Sequence, residues 1–294
     1  MGSRESGVGN RELENFSLSS LSPRIWLIGG TSESARIAQA IAAEKIPWTI
    51  TVTTPTAQSL YPQSPDLRVQ VGQLDDLQLE TFLTQESIVA VVDASHPYAV
   101  VISQIAIAVA ADKQIPYLRY ERPNLERTED GIKSEGQITN SKFRILLESF
   151  ETLLKGDYLL GQRVLLTIGY KTLPLFQSWQ DRATLFARLL PTVHSIEVAT
   201  AAGFTPDRLI ALRPPINAEL EKALWCQWQI SLVITKASGQ AGGEEIKQSV
   251  ANELNIPLIV IARPNIAYPR QTSNLSEILS FCRQSIASES CLTP

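Results

Sequence analysis

Four stretches of this 294-residue chain carry side chains whose types and spacing could do chemistry. The first is Gly29-Gly30-Thr31-Ser32-Glu33, entered from the apolar run Ile25 to Ile28 and followed by a helical pattern that carries Arg36. A strand that ends in glycines and feeds a helix makes an anion site. Its backbone can approach a phosphate, and the N–H groups of the helix start point at it. These residues are therefore candidates for binding a nucleotide cofactor. The stretch departs from G-x-G-x-x-G, because Ser34 and Ala35 stand where the third glycine belongs. A tight turn with no ligand is the bland alternative. The next strand ends Thr51-Val52-Thr53-Thr54, without the acid that usually meets the ribose hydroxyls of NAD. With Arg36 near, that absence favours NADP and adds Thr53 to the cofactor candidates.

The second stretch is Asp93-Ala94-Ser95-His96-Pro97-Tyr98, after the apolar run Ile88 to Val92. Ser95 suits a helix cap and Pro97 a first turn, which leaves His96 and Tyr98 unexplained. His96 is one of only two histidines, and on such a loop it could donate a proton. The third and fourth stretches, Thr167-Ile168-Gly169-Tyr170-Lys171 and Thr235-Lys236-Ala237-Ser238-Gly239, close apolar runs in the second half. Each brings a lysine to a strand end, and the second leads into a glycine-rich loop suited to an anion. His194 reads as structural or exposed. Trp225 and Trp228, flanking Cys226, read as packing.

Composition narrows the classes. With 44% hydrophobic and 19% charged residues the chain is of globular type, and its length suits two domains. A net charge of −4 argues against broad nucleic-acid binding. Cys226, Cys282 and Cys291 are scattered, which suggests reduced thiols and a cytoplasmic setting, and no metal-ligand spacing is visible. The most apolar stretch, Ala99 to Ala111, is too short to span a bilayer, so no membrane is expected. The first six residues fit a bare myristoylation pattern, but a polar flexible tail accounts for them better.

The elements that must position these stretches alternate as β-α-β. The order implies an α/β fold with doubly wound parallel sheets. We expect a tail over 1–22, a dinucleotide-binding domain over 23–123, a linker over 124–141, a second Rossmann-like domain over 142–288 and a tail over 289–294. A helix is expected over about 142–155. The second half echoes the first: Arg163 to Gly169 aligns with Arg24 to Gly30, Ile256-Pro257 with Ile115-Pro116, and Arg263-Pro264 with Arg122-Pro123. Two related domains would then face a central cleft, where ligand sites usually lie.

Six stretches in order carry a family resemblance. They are Gly29 to Glu33 with Arg36, Asp93 to Tyr98, Tyr117 to Pro123, Leu166 to Gly169 with Lys171, Thr235 to Gly239, and Ile256 to Pro264. Together they resemble the precorrin-6A reductases of corrin-ring synthesis, the cobalt-precorrin-6A reductases included. Ser34 and Ala237 depart from that pattern. The resemblance implies hydride transfer from NADPH or NADH to a macrocycle double bond in vitamin B12 synthesis. A tetrapyrrole fringed with carboxylates is then the substrate, and transient contact with neighbouring pathway enzymes and the oligomeric state stay open. His96, Tyr98 and Lys236 become the candidate proton donors. Gly29, Gly30, Thr31, Ser32, Glu33, Arg36, Thr53 and Ser95 face the cofactor. Arg122, Gly169, Lys171, Ser238 and Gly239 face the substrate, on a cationic rim that also draws on Arg119, Arg188, Arg213 and Arg263. The alternative from another class is a non-catalytic tetrapyrrole- or nucleotide-binding module with the same cleft.

Overall fold

The computed structural model describes residues 22–122, 143–239 and 242–290. The tail expected over 1–22 lies outside these but for its last residue, and the linker over 124–141 lies wholly outside.

The first half begins with β1 (Arg24–Ile28), α1 (Ser32–Ala43) and β2 (Trp48–Val52). Both strands are buried at every residue, as befits strands covered on two faces. A one-turn helix α2 (Pro55–Gln58) and β3 (Leu67–Val71) follow, then α3 (Asp76–Gln85), β4 (Ile88–Asp93), α4 (Val100–Asp112) and β5 (Tyr117–Tyr120). The second half runs β6 (Arg144–Leu147), α5 (Phe150–Lys155), β7 (Arg163–Thr167), a 3-10 stretch Tyr170–Trp179, and β8 (Thr184–Leu189). Next come α6 (Val193–Ala201), β9 (Leu209–Ala211), α7 (Ala218–Gln227), β10 (Leu232–Lys236), α8 (Glu244–Leu254) and β11 (Leu258–Ile261). The chain closes with β12 (Gln271–Thr272) and α9 (Leu275–Ser290).

Two sheets of six parallel strands result, ordered β3-β2-β1-β4-β5-β12 and β9-β8-β7-β10-β11-β6. The first has the strand order of a dinucleotide-binding fold, with its reversal between β1 and β4. The second repeats it, with β7 and β10 at the reversal. Two related α/β domains are thus present, as the internal echo suggested.

The edge strands differ from expectation. The segment after β5 crosses to the second sheet and pairs as β6 with β11, Ile145 opposite Ile259. The segment after β11 crosses back and pairs as β12 with β5, Gln271 opposite Arg119. The first sheet is therefore completed by a segment of the second half. The helix expected over 142–155 is a strand followed by a short helix, because Ser149 caps a new helix by accepting from Thr152 N–H. The last helix, expected within the second domain, covers the first sheet. Its Ile278, Phe281 and Cys282 fill one cluster with Ile37, Ala38 and Ile41 of α1. An amphipathic pattern specifies a helix, but not which apolar face will receive it. On the other face of that sheet, Leu79 and Phe82 of α3 meet Ala106 and Ala110 of α4. The second sheet is packed alike, by Leu153, Phe176 and Ala199 on one face and Trp225 and Val250 on the other.

Candidate functional site

The carboxyl ends of both sheets meet, and the four stretches meet there with them. At the end of β1 the chain turns through Gly29 and Gly30. A side chain at Gly29 has no room: its Cβ would lie 2.5 Å from the Tyr61 hydroxyl and 2.7 Å from Ile50 Cδ1. Gly30 has φ +101°, a conformation that disfavours other residues, and the space beside it is open. Thr31 caps α1, accepting from Ser34 N–H, and its own hydroxyl donates to Ala94 O at 2.9 Å. Gly30 N–H donates to the Tyr61 hydroxyl at 2.6 Å, and Thr31 N–H to Ser34 Oγ at 3.0 Å. Among the described residues the amides of Ser32 and Glu33 keep no partner, so they and the helix dipole remain for an anion. Glu33 and Arg36 line a shallow pocket beside the turn with Ile37, Tyr120 and Leu275 of α9.

The β4 end is built on a buried ion pair. Asp93 is fully buried and accepts from Arg119 at 2.8 Å, Ser95 N–H at 2.9 Å, and the hydroxyls of Ser103 and Tyr117 at 2.6 Å each. Arg119 is equally buried, donates to Ser95 Oγ and Glu121, and lies over the Tyr268 ring. Burial works against its charge, but Asp93 and Glu121 more than offset this and push its pKa up. Burial and the Asp93 charge push the Tyr117 phenol up as well. This network fixes the loop that presents His96. The imidazole is exposed, and its Nδ1 accepts from Tyr98 N–H at 3.3 Å. The surrounding cleft walls, then Arg122, Lys236, Arg119 and Arg263, lower its pKa to about 4. At neutral pH it is an uncharged ring with Nδ1 as the accepting nitrogen.

Three side chains join the two sheets. The Tyr98 hydroxyl donates toward Ile261 O at 2.5 Å and Ala262 O at 3.0 Å and accepts from Ala237 N–H at 3.0 Å. Burial raises its pKa, so it holds its proton. Arg122 pairs with Glu33 at 2.8 Å and donates to Ser238 O at 2.8 Å. Arg263 donates to Ala237 O, Arg122 O and Glu121, while its Nη2 is buried without a partner among the described residues. Lys236 lies over the Tyr98 ring at 4.9 Å and the Phe150 ring at 5.6 Å. Among the described residues neither it nor exposed Lys171 has a carboxylate in ion-pair range. Burial first, then Lys171, lowers the Lys236 pKa to about 8.

The structure brings His96, Tyr98, Lys236, Arg122, Ser238 and Gly239 together, with Glu33 joined through Arg122. Thr53 is exposed at the end of β2, and Gly169 at the end of β7. The surroundings of five expected site residues bear on their roles. Ser95 is buried against Arg119 and does not cap a helix, for α4 starts at Val100 with Ala99 as an uncapped N-terminus. Tyr98 is a bolt between sheets, its hydroxyl fully engaged. Arg119 and Arg188 are not rim cations, since the first is spent on Asp93 and the second on buried Glu221. Glu33 faces a cation of this chain. Asp93, Glu121 and Tyr61 were not singled out from sequence. Asp93 and Glu121 were legible as acids at strand ends, whereas nothing in the sequence ties Tyr61 to Gly30.

Comparison with known proteins shows the family. Residues 24–283 match the family model described as precorrin-6x reductase CbiJ/CobK. A cobalt-precorrin-6A reductase of Synechocystis is 45% identical over 267 residues, covering 90% of this chain and 97% of that protein. The protein of the same name from Priestia megaterium is 30% identical, over 87% of this chain and 96% of its own. A solved structure described as CobK precorrin-6A reductase superposes with a TM-score of 0.69 at 22% identity, covering 90% of this chain and 97% of that one, which bears on the fold alone.

Proposed function

The chain belongs to the precorrin-6x reductase CbiJ/CobK family, and from that premise we propose how it works. It is an oxidoreductase of cobalamin biosynthesis that reduces a ring C=C bond of precorrin-6A, with a nicotinamide cofactor. The non-catalytic module is not favoured, as the relatives are named as reductases. The relatives at 45% and 30% identity are named for the cobalt substrate, which is therefore the form proposed here.

The β1–α1 turn fits a dinucleotide. Space is open at Gly30, the Ser32 and Glu33 amides are available, and Arg122 neutralises the one carboxylate that would repel a phosphate. NADPH is the proposed form, supported by exposed Thr53, by the missing acid after β2 and by exposed Arg36 on α1. When bound, the reduced nicotinamide supplies the hydride. A proton must complete the addition across C=C. Tyr98 is spent on the backbone and His96 is uncharged, so Lys236 is the remaining donor. With a pKa of about 8 it is charged at neutral pH, yet close to giving its proton up. Lys171 and Lys236 also suit the carboxylate fringe of the macrocycle. The wall of two packed sheets orients both reactants and keeps water from the reacting carbon.

The observation that carries this reading is Lys236 over the Tyr98 ring, close enough to Lys171 to feel its charge and, among the described residues, with no carboxylate in ion-pair range. The test is Lys236→Arg, which keeps a cation but raises its pKa. Unchanged KM for the tetrapyrrole with kcat reduced about tenfold or more supports proton donation. Unchanged kcat refutes it. Among the described residues no helix is long and apolar enough to cross a membrane. A cytoplasmic location is part of the proposal, supported by the free thiols Cys226 and Cys282.

A further inference from the structure

We propose that Tyr61, in the connection between α2 and β3, is the positioning residue of the β1–α1 turn, acting through Gly30 and Ser34. The inference rests on the reading that this turn receives the phosphates of the cofactor.

Tyr61 is 7% exposed and its hydroxyl sits inside the turn, 2.6 Å from Gly30 N and 2.8 Å from Ser34 Oγ. The protons can be assigned without conflict. Ser34 donates to Thr31 O at 2.7 Å, so its oxygen accepts from Thr31 N–H and from the Tyr61 hydroxyl. The Tyr61 oxygen then accepts from Gly30 N–H. Every donor is used once. Thr31 Oγ1 extends the chain to Ala94 O, at the head of the loop that carries His96.

This arrangement answers the missing third glycine. That glycine normally lets the helix approach the strand closely. Here the position holds a fully buried serine, whose hydroxyl would be costly without partners. Tyr61 is one of them. It also restrains Gly30, a residue at φ +101° with open space beside it and little else to fix its peptide plane. The plane of Gly30 leads into Thr31, which caps α1 and bonds Ser34 on both its amide and its hydroxyl, and through that cap into the amides of Ser32 and Glu33. Tyr61 need not touch a phosphate to determine how well one is held.

The test is calorimetric titration of the full-length protein with NADP+ as the probe, without tetrapyrrole, and separately with the tetrapyrrole. Tyr61→Phe keeps the ring and removes the hydroxyl. Its Kd for NADP+ should rise about tenfold, with tetrapyrrole affinity unchanged. Ser32→Glu places a negative charge on the exposed start of α1 and should abolish NADP+ binding. If Ser32→Glu loses NADP+ and Tyr61→Phe binds as the parent does, the role of Tyr61 is refuted while the cofactor turn stands. If neither variant changes NADP+ binding, the cofactor reading of the turn fails and this inference with it. Equal losses for NADP+ and tetrapyrrole in Tyr61→Phe would show general loosening and also refute the role. Should Tyr61→Phe not fold, Ser34→Ala removes the second partner. It should weaken NADP+ about threefold, and no change would overturn the proposal.

Discussion

Burial first, then neighbouring cations, acts on both Lys236 and His96, Lys171 at the lysine and Arg122 foremost at the histidine. Both pKa values fall, to about 8 and about 4, but at neutral pH the lysine keeps its charge and the histidine has none. For Lys236 the unfolded chain binds more protons than the folded one between about 8 and the ordinary 10.5. The resulting destabilisation is complete below that window and gone above it. Lys236→Met should therefore raise the melting temperature at neutral pH, with the gain shrinking as pH climbs through the window. The same variant should lose turnover, a trade seen where a site is strained for function. In the parent enzyme kcat should decline as pH rises through about 8, because the charged donor is lost. His96 predicts a missing limb. The free enzyme's kcat/KM should show no break between about pH 5.5 and 7.5, and a break there that disappears in His96→Gln would contradict a neutral imidazole.

At the scale of elements, the end of β4 matters more than any one cofactor contact. Asp93→Asn would leave buried Arg119 with Glu121 alone as its anionic partner among the described residues, and should cost about 3 kcal/mol by denaturant melting. Tyr98→Phe should cost about 1 kcal/mol, since the Ala262 carbonyl loses the hydroxyl that reaches it from the other sheet, while Ala237 N–H and Ile261 O keep each other. The sequence made most elements legible. Unbroken apolar runs marked β1, β4, β7 and β10, and each strand end was marked by glycine, histidine or lysine. Pairing partners were not legible. Arg144-Ile145-Leu146-Leu147 reads as well for a helix start as for an edge strand, and only contact with β11 decides it. The roles of Ser95 and Tyr98 escaped for a similar reason. Local sequence shows a polar residue on a loop, but not whether its hydroxyl turns inward to Arg119 or across to another sheet. Ser34 was visible as a departure from the glycine pattern, while its partner Tyr61 lay 27 residues away.

For the whole molecule, the return of β12 and α9 to the first sheet makes the two domains inseparable. A cut in the segment joining β5 to β6 leaves the first sheet without β12 and α9, and exposes the apolar cluster shared by α1 and α9. The fragment ending before residue 143 should fail to fold alone. Coexpression with the remainder should restore it, as followed by solubility and amide exchange. Phe281→Ala, at that shared cluster, should cost about 3 kcal/mol or more and loosen the N-terminal sheet. Tyr98, Arg122 and Arg263 span the strand ends of the two sheets. In the function proposed, a large anionic ring and a dinucleotide meet between Gly30 and Lys236. The direct test supplies the purified protein with cobalt-precorrin-6A and NADPH deuterated at the hydride position, and weighs the product. The account predicts one deuterium in the reduced macrocycle for each dinucleotide oxidised. Absence of both dinucleotide oxidation and label, with NADPH and NADH and with metal-free and cobalt rings alike, would contradict it.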